Sequence, residues 1–221
     1  METILIFAGG EETPSSLSGE LPAADMTVAA DSGYDLAMAL GHHVDLLIGD
    51  MDSIVTKRIP DHVIVERHPT DKDMTDLELA MVRVAAESPA RIVVVGGGGG
   101  RLDHELATPA LLASDRWADV GEIDWVTSRG WCYVVRGRRL IHGDVGSTIG
   151  LIPMGGAALG VTTRGLQWDL VAAVLPHGTT HGVSNLFVSP VADIKVNEGC
   201  LLAVVPGDDQ DAAKSGPPKS R

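Results

Sequence analysis

The sequence predicts an α/β N-terminal domain, a Rossmann-like parallel sheet flanked by helices, followed by an all-β sandwich. Two observations carry this reading. Up to about residue 117, short apolar runs alternate with loops and amphipathic helical stretches, the pattern of a parallel sheet covered on both faces. After about residue 119, short apolar runs recur at close spacing with glycine or proline turns between many of them, and no helical stretch of useful length intervenes. We therefore expect residues 1–120 to form the α/β unit, 121–206 the β unit, and 207–221 a polar, disordered tail rich in Pro, Gly and Ser.

In order along the chain, Ile4 to Ala8 is the first strand and runs into Gly9-Gly10. Residues 11–24 are polar and read as a loop with room for a short helix. Thr27 to Ala30 is the second strand, closing on Asp31-Ser32-Gly33. A helix from about Tyr34 to Leu40 follows and stops at Gly41. Leu46 to Ile48 is the third strand, ending at Gly49, with Asp50, Asp52 and Ser53 directly behind it. A short strand, Val63 to Glu66, precedes the acidic cluster Asp71, Asp73 and Asp76. The helix over 75–87 repeats Leu77, Ala80, Met81 and Val84 at spacings of three and four, with Thr75 or Asp73 as its cap. Arg91 to Val95, nearly all β-branched inside, reads as a buried central strand. It leads into five glycines, Gly96 to Gly100, and a helix through about Trp117 with Pro109 in its early part.

In the second part the predicted runs are Ile123 to Val126, Cys132 to Val135, Ser147 to Ile152, Leu159 to Thr162, Leu170 to Val174, Val191 to Val196 and Leu201 to Val205. Arg136-Gly137-Arg138 and Pro153-Met154-Gly155-Gly156 read as turns between them. Residues 123–128 have an alternative place as the last strand of the first sheet.

Composition narrows the function. Of 221 residues, 44 % are hydrophobic and only 4 % aromatic, so the core is aliphatic. A formal net charge of -13 disfavours nucleic acid as a partner, since gripping its backbone takes clustered Lys and Arg. A nucleotide remains open to it, through metal and backbone N–H groups. No run approaches the ~20 apolar residues that span a bilayer, so no membrane association is expected. The N-terminus lacks a basic region ahead of its short apolar run, and Cys132 and Cys200 have no metal-site or disulfide pattern. A cytoplasmic protein with reduced thiols is the expectation.

Chemistry concentrates at predicted strand ends, where active sites of parallel sheets collect. Carboxylates crowd together only at a cost unless a cation lies between them. Asp50, Asp52, Asp73 and Asp76 therefore point to a shared Mg2+ with phosphate oxygens; solvated turns and caps in an acidic protein are the bland alternative. Gly99, Gly100 and the glycines before them can cradle phosphate or simply form a turn. Arg101 and Asp103 behind them add a phosphate partner and a metal ligand. Lys72 is either a charge-neutralising cation or a surface ion pair. His104 either touches phosphate or is a polar residue at a helix start. Trp168 either packs in the sandwich or offers its face to a cationic ring.

These segments resemble the thiamine pyrophosphokinase family. The resemblance is carried by Asp31-Ser32-Gly33, Gly49-Asp50-Met51-Asp52-Ser53, the run from Lys72 to Ala80, Gly99-Gly100-Arg101-Leu102-Asp103-His104, the run from Gly160 to Leu170, and Gly182-Val183-Ser184-Asn185. It implies transfer of pyrophosphate from ATP to the hydroxyl of thiamine, giving thiamine diphosphate and AMP, in a Mg2+-dependent homodimer with sites where subunits meet. By the same resemblance, Asp50, Asp52, Asp73, Asp76 and Asp103 hold metal and polyphosphate, Lys72 and Arg101 contact phosphate, and Asp31, Gly33, Ser53, Gly99, Gly100 and His104 belong to the nucleotide rim. Trp168, Ser184 and Asn185 receive the thiamine rings, reaching the rim of the partner. Three positions depart from the family pattern: Thr108 stands where Asn is common, Met51 where Phe is frequent, and Gln167 in place of Lys or Tyr. Rival readings are a pyrophosphokinase for another alcohol such as a hydroxymethyl-pterin, a non-catalytic nucleotide-binding protein, and a phosphohydrolase.

Overall fold

A computed structural model describes residues 2–11 and 21–207. The predicted tail and most of the early polar loop lie outside the described residues. Six parallel strands form the first sheet: β1 (Thr3–Ala8), β2 (Met26–Ala30), β3 (Leu46–Gly49), β4 (Ile64–Arg67), β5 (Arg91–Gly96) and β6 (Glu122–Thr127). Their spatial order is β4-β3-β2-β1-β5-β6. Helices α1 (Gly33–Ala39), α2 (Asp76–Ala85) and α3 (Leu102–Leu112) connect them. The strand period of two sorts the core into layers. Ile4, Ile6, Val28, Leu46, Ile48, Ile92 and Val94 pack on one face with Leu79, Met81 and Val84 of α2. Leu5, Phe7, Ala29, Leu47, Val93 and Val95 pack on the other with Tyr34 and Ala37 of α1. Burial on both faces is why β1 and β5 are continuous apolar runs.

Residues 123–128 take the second of their two predicted places, since β6 pairs parallel with β5 from Arg91↔Glu122 to Val95↔Val126. It then turns through Ser128-Arg129 into antiparallel β7 (Gly130–Val135). The remaining strands are β8 (Arg138–His142), β9 (Thr148–Arg164), β10 (Ala173–Leu175), β11 (Asn185–Leu186), β12 (Val191–Lys195) and β13 (Glu198–Pro206). β13 inserts between β7 and β9, so one hydrogen-bonded path runs from β4 to β8. Val135, Ile141, Ile149, Leu151, Val161, Phe187, Ile194 and Leu201 fill the core of this β unit. Among the described residues, no helix is long and apolar enough to cross a membrane.

Four local predictions need correction. The two runs around Pro153-Met154-Gly155-Gly156 are one 17-residue strand, β9. Pairing with β13 continues through Pro153 and Met154, and a register shift opposite Glu198 and Cys200 bends the strand where a reversal was expected. Gly155 and Gly160, both at positive φ, absorb the irregularity. Beyond it β9 pairs with β12, so a single strand serves both layers. β8 was not predicted, because Arg138 and Arg139 break its apolar pattern. The helix expected to reach Trp117 ends at Leu112, and Trp117 lies in a separate 3-10 turn capped by Ser114. Pro109 consequently sits in the last turns of α3 instead of its first.

Arg139 is buried for a reason that a hydrophobic pattern does not register. Its guanidinium bonds Asp124 and Glu122 in β6, and the carbonyls of Ile123 and Val134 at 3.2 and 3.0 Å. Asp124, with a fully buried side chain, also accepts from Arg91 Nε at 2.8 Å and Nη2 at 2.6 Å. This network ties the β unit to the parallel sheet. Removing one partner strands buried charge, so Asp124→Ala is expected to cost about 3 kcal/mol or more in urea unfolding. A loss below about 1 kcal/mol would show that the network is not holding the two units together.

Candidate active site

The segments following β1, β2, β3 and β5 converge, as the strand-end argument expects, around a cavity of about 740 Å³. Gly9, Gly10, Asp31, Ser32, Asp50, Asp52, Ser53, Asp76, Gly97, Gly100, Arg101, Asp103, His104 and Thr108 are in its wall. Close packing explains the small residues. A Cβ on Gly33 would lie 2.0 Å from the Phe7 carbonyl oxygen, and one on Gly10 would lie 2.5 Å from that of Gly98.

Three carboxylates meet in this wall. Asp31, Asp50 and Asp76 each offer an oxygen, and these atoms all lie within 4.8 Å of one another. Adjacent parallel strands deliver the first two: Ala30 lies beside Ile48 in register, and the chain turns after each strand. Asp31 turns with φ 46°, its N–H bonded to the Ile48 carbonyl at 2.8 Å. Asp76 begins α2, whose cap is Thr75, accepting from the Glu78 N–H. Gly49 leaves room for the cluster, since a Cβ there would meet Asp76 Oδ1 at 3.0 Å and Asp31 Cβ at 3.1 Å.

The electrostatics follow from crowding. Lys72, with a side chain only 13 % exposed, pairs with Asp50 at 3.3 Å and Asp76 at 3.1 Å. Burial alone would lower the Lys72 pKa, but hydrogen bonds and charge from Asp76 and Asp50 raise it. Asp76 is raised by burial and by the Asp31 and Asp50 charges, against the pull of Lys72. The Asp50 charge, more than any other cause, raises Asp52. Asp50 itself is lowered, chiefly by the Asp52 N–H that it accepts at 3.2 Å. Ser53 donates to Asp31 Oδ2, while Asp31 Oδ1 is buried without a hydrogen-bond partner.

The remaining expected residues are placed unequally. Asp73 is exposed and does not line the cavity, because α2 begins three residues later and turns Asp76 inward instead. Asp103 lines the cavity outside the cluster of three, held by Arg101 Nε at 3.1 Å and Nη2 at 2.6 Å. That guanidinium holds its pKa down at about 2. The Gly99 N–H donates to Glu105 at 3.3 Å. Thr108, buried in the cavity wall, donates its hydroxyl to the His104 carbonyl at 2.9 Å.

Trp168 lies in the turn between β9 and β10, is 56 % exposed and is not in the cavity wall. It is therefore not a core residue of the β unit. Asn185 fixes its peptide twice, accepting from the Trp168 N–H at 3.1 Å and donating to its carbonyl at 2.9 Å. Ser184, exposed and at φ 63°, precedes that clamp.

Two family models match this chain: "Thiamin pyrophosphokinase, catalytic domain" over residues 18–118 and "Thiamin pyrophosphokinase, vitamin B1 binding domain" over 139–201. The chain belongs to the thiamine pyrophosphokinase family. Thiamine pyrophosphokinase 1 of Arabidopsis thaliana is 31 % identical over 170 residues, 68 % of this chain and 61 % of that protein. Thiamine pyrophosphokinase 1 of Oryza sativa subsp. japonica is 27 % identical over 161 residues, 64 % of this chain and 58 % of that protein. The match thus spans about three fifths of the length of these plant relatives. Thiamine pyrophosphokinase from Bacillus subtilis superposes with a TM-score of 0.81 at 24 % identity, covering 94 % of this chain and all of that one. That from Geobacillus thermodenitrificans gives 0.77 at 25 %, covering 94 % and 99 %.

In this thiamine pyrophosphokinase family member, the sequence places Asp31 on the same strand-end rim as Asp50, but sequence reasoning assigned it to nucleotide contact and left it out of the acids that could share a cation. Its position directly behind β2, next to the strand that ends at Asp50, was the available signal. The donor set fits a hard divalent cation: all ligand atoms are carboxylate oxygens, and Asp31 Oδ1 is buried and orphaned. The sign of the proton linkage agrees. A raised Asp76 pKa favours folding at low pH, and that contribution disappears as pH rises through the raised value. At neutral pH an ionised Asp76 no longer makes that contribution, and a cation beside it would offset the loss. Mg2+ at tenfold excess over its Kd is expected to add about 1.4 kcal/mol, a rise of roughly 3–6 °C in Tm for a chain of this size. Asp31→Asn should shrink that rise in a thermal melt at pH 7; an equal rise in the variant would remove Asp31 from the cation site.

Proposed function

We propose that this chain transfers the pyrophosphoryl group of ATP to the hydroxyl of thiamine, forming thiamine diphosphate and AMP, with Mg2+ as its metal. The observation that carries the reading is the meeting of Asp31, Asp50 and Asp76 beside a glycine-lined cavity, in a chain matching both the catalytic and the vitamin B1 binding models. Asp31, Asp50 and Asp76 would hold the metal. When bound, it neutralises the polyphosphate and the charge developing on the leaving AMP oxygen.

The chain's own groups supply alignment and charge compensation, the main demands of phosphoryl transfer. Lys72 keeps Asp50 and Asp76 together. Arg101 and the backbone around Gly97 to Gly100 receive phosphate oxygens. The thiamine hydroxyl oxygen bonds to the β-phosphorus as the bond from that phosphorus to the oxygen bridging it to the α-phosphorus breaks, and AMP leaves. Asp52 takes the hydroxyl proton, because it lines the cavity, has a raised proton affinity and is not paired with Lys72.

The acceptor end is assigned to Trp168, whose exposed face suits a thiazolium ring by cation–π attraction. Since Trp168 is outside the wall of its own cavity, we assign the working unit to a homodimer in which it completes the partner's site. Two buried free thiols, Cys132 and Cys200, both pushed up in pKa by burial, fit a cytoplasmic setting.

The test is AMP formation from ATP and thiamine with Mg2+. Asp50→Asn is expected to lower kcat by about a hundredfold or more. Trp168→Ala should raise the KM for thiamine while leaving that for ATP. Mixing these two variants should restore about a quarter of the unsubstituted activity, because half of randomly paired dimers carry one intact site of two. ATP consumption at full rate without thiamine would replace the reading with a phosphohydrolase, and no recovery on mixing would place both residues in one subunit's site.

A further inference from the structure

Helix α3 carries Asp103, His104 and Thr108 of the cavity wall, with Arg101 at its start, yet packing fixes it weakly. Only Thr108 and Leu112 of its eleven residues are buried, and Leu102 and Leu106 are exposed. Pro109 lacks the N–H that would bond the Glu105 carbonyl. Two arginines at opposite ends of β7 supply what packing does not. Arg129, in the turn before β7, pairs with Glu105, whose other oxygen accepts from the Gly99 N–H. Arg136, just after β7, donates through Nη2 to the Leu112 carbonyl at 3.2 Å and the Ser114 carbonyl at 2.8 Å. The first of those bonds satisfies a carbonyl of the last helical turn, and the second fixes the segment just beyond it.

We propose that Arg129 and Arg136 are positioning residues for the nucleotide. One hairpin grips α3 near both ends, and through Glu105 the grip extends to the glycine loop, so the phosphate-facing groups are set by a strand outside the catalytic unit's helices. Arg129 acts through Glu105 on Gly99 and on the helix start that bears Arg101 and Asp103; it touches no substrate itself. Arg136 fixes the far end, so α3 can neither slide nor tilt away from the cavity. The inference rests on the ATP-dependent reading above.

The test uses the full chain and Mg-ATP alone, by calorimetry, alongside steady-state kinetics with thiamine. Arg129→Met is expected to weaken Mg-ATP binding roughly tenfold, since small misplacements of aligned groups are costly. The KM for thiamine and the Tm should change little, because Arg129 is an exposed partner whose direct worth to stability is small. Arg129→Lys should recover part of the loss, and amide exchange of the segment around Gly99 should quicken in Arg129→Met but not in Arg129→Lys. Arg136→Met, in a more buried setting, is expected to weaken Mg-ATP binding and lower the Tm together. Unchanged Mg-ATP affinity in Arg129→Met would overturn the proposal, as would parallel losses in Tm and kcat without any change in nucleotide affinity. No Mg-ATP binding by the unsubstituted chain would instead overturn the reading on which it rests, and the proposal with it.

Discussion

Three carboxylates held within 4.8 Å of one another are the constraint on which the rest of the structure depends. Their mutual repulsion opposes folding, and a single lysine, Lys72, meets only two of them. A flexible scaffold would relieve the repulsion by moving apart. The parallel sheet prevents this, because β2 and β3 are hydrogen-bonded neighbours buried on both faces and their chain exits have nowhere else to go. The backbone takes up some of the cost as well: Asp31 and Met51, neither of them glycine, sit at φ 46° and 68°. Local strain of this kind persists only where the surroundings over-determine it, and here the surroundings are hydrogen-bonded strands buried on both faces.

Much of this was legible in the sequence because it depends on period and punctuation. Apolar runs ending at Gly9, Asp31, Asp50 and Gly96 mark strand exits, and parallel strands put their exits at one edge. Which acid of a cluster turns inward is a different kind of information. Asp73 and Asp76 look equivalent as letters, but α2 begins at Asp76, so its side chain is aimed by a helix start while Asp73 remains in the preceding loop. Arg139 and β8 escaped for a related reason. A strand that opens on two arginines, the second of them buried, reads as polar, and the distant Asp124, Glu122 and two backbone carbonyls make that burial tolerable. Long-range pairing also decides β9, where Pro153 and Gly155 read as a turn until β13 is laid beside them.

The two halves of the chain solve opposite problems with the same residue type. Trp125 is buried, its indole N–H spent on the Gly96 carbonyl at 2.8 Å, which fastens β6 to the first residue of the glycine loop. Trp117 likewise spends its N–H on the Leu111 carbonyl at 2.7 Å, closing the end of α3. These indoles are structural, each burying a large apolar surface while spending its N–H on a backbone carbonyl. Trp168 is exposed, and what is satisfied there is the backbone beneath it, through the Asn185 amide.

That difference bears on how an exposed aromatic face is held in place at low cost. An exposed aromatic on a mobile turn must lose conformational freedom each time it binds, and each ordered backbone residue costs about 1–2 kcal/mol. Asn185 settles that cost during folding, since both polar groups of the Trp168 peptide are already bonded, and Asp169 adds a bond to the Leu166 N–H at 3.1 Å. The turn is thus held by its own hydrogen bonds beneath an exposed ring. The catalytic unit reaches the same end by another route, fixing its acids through the sheet and its glycine loop through charged contacts from β7.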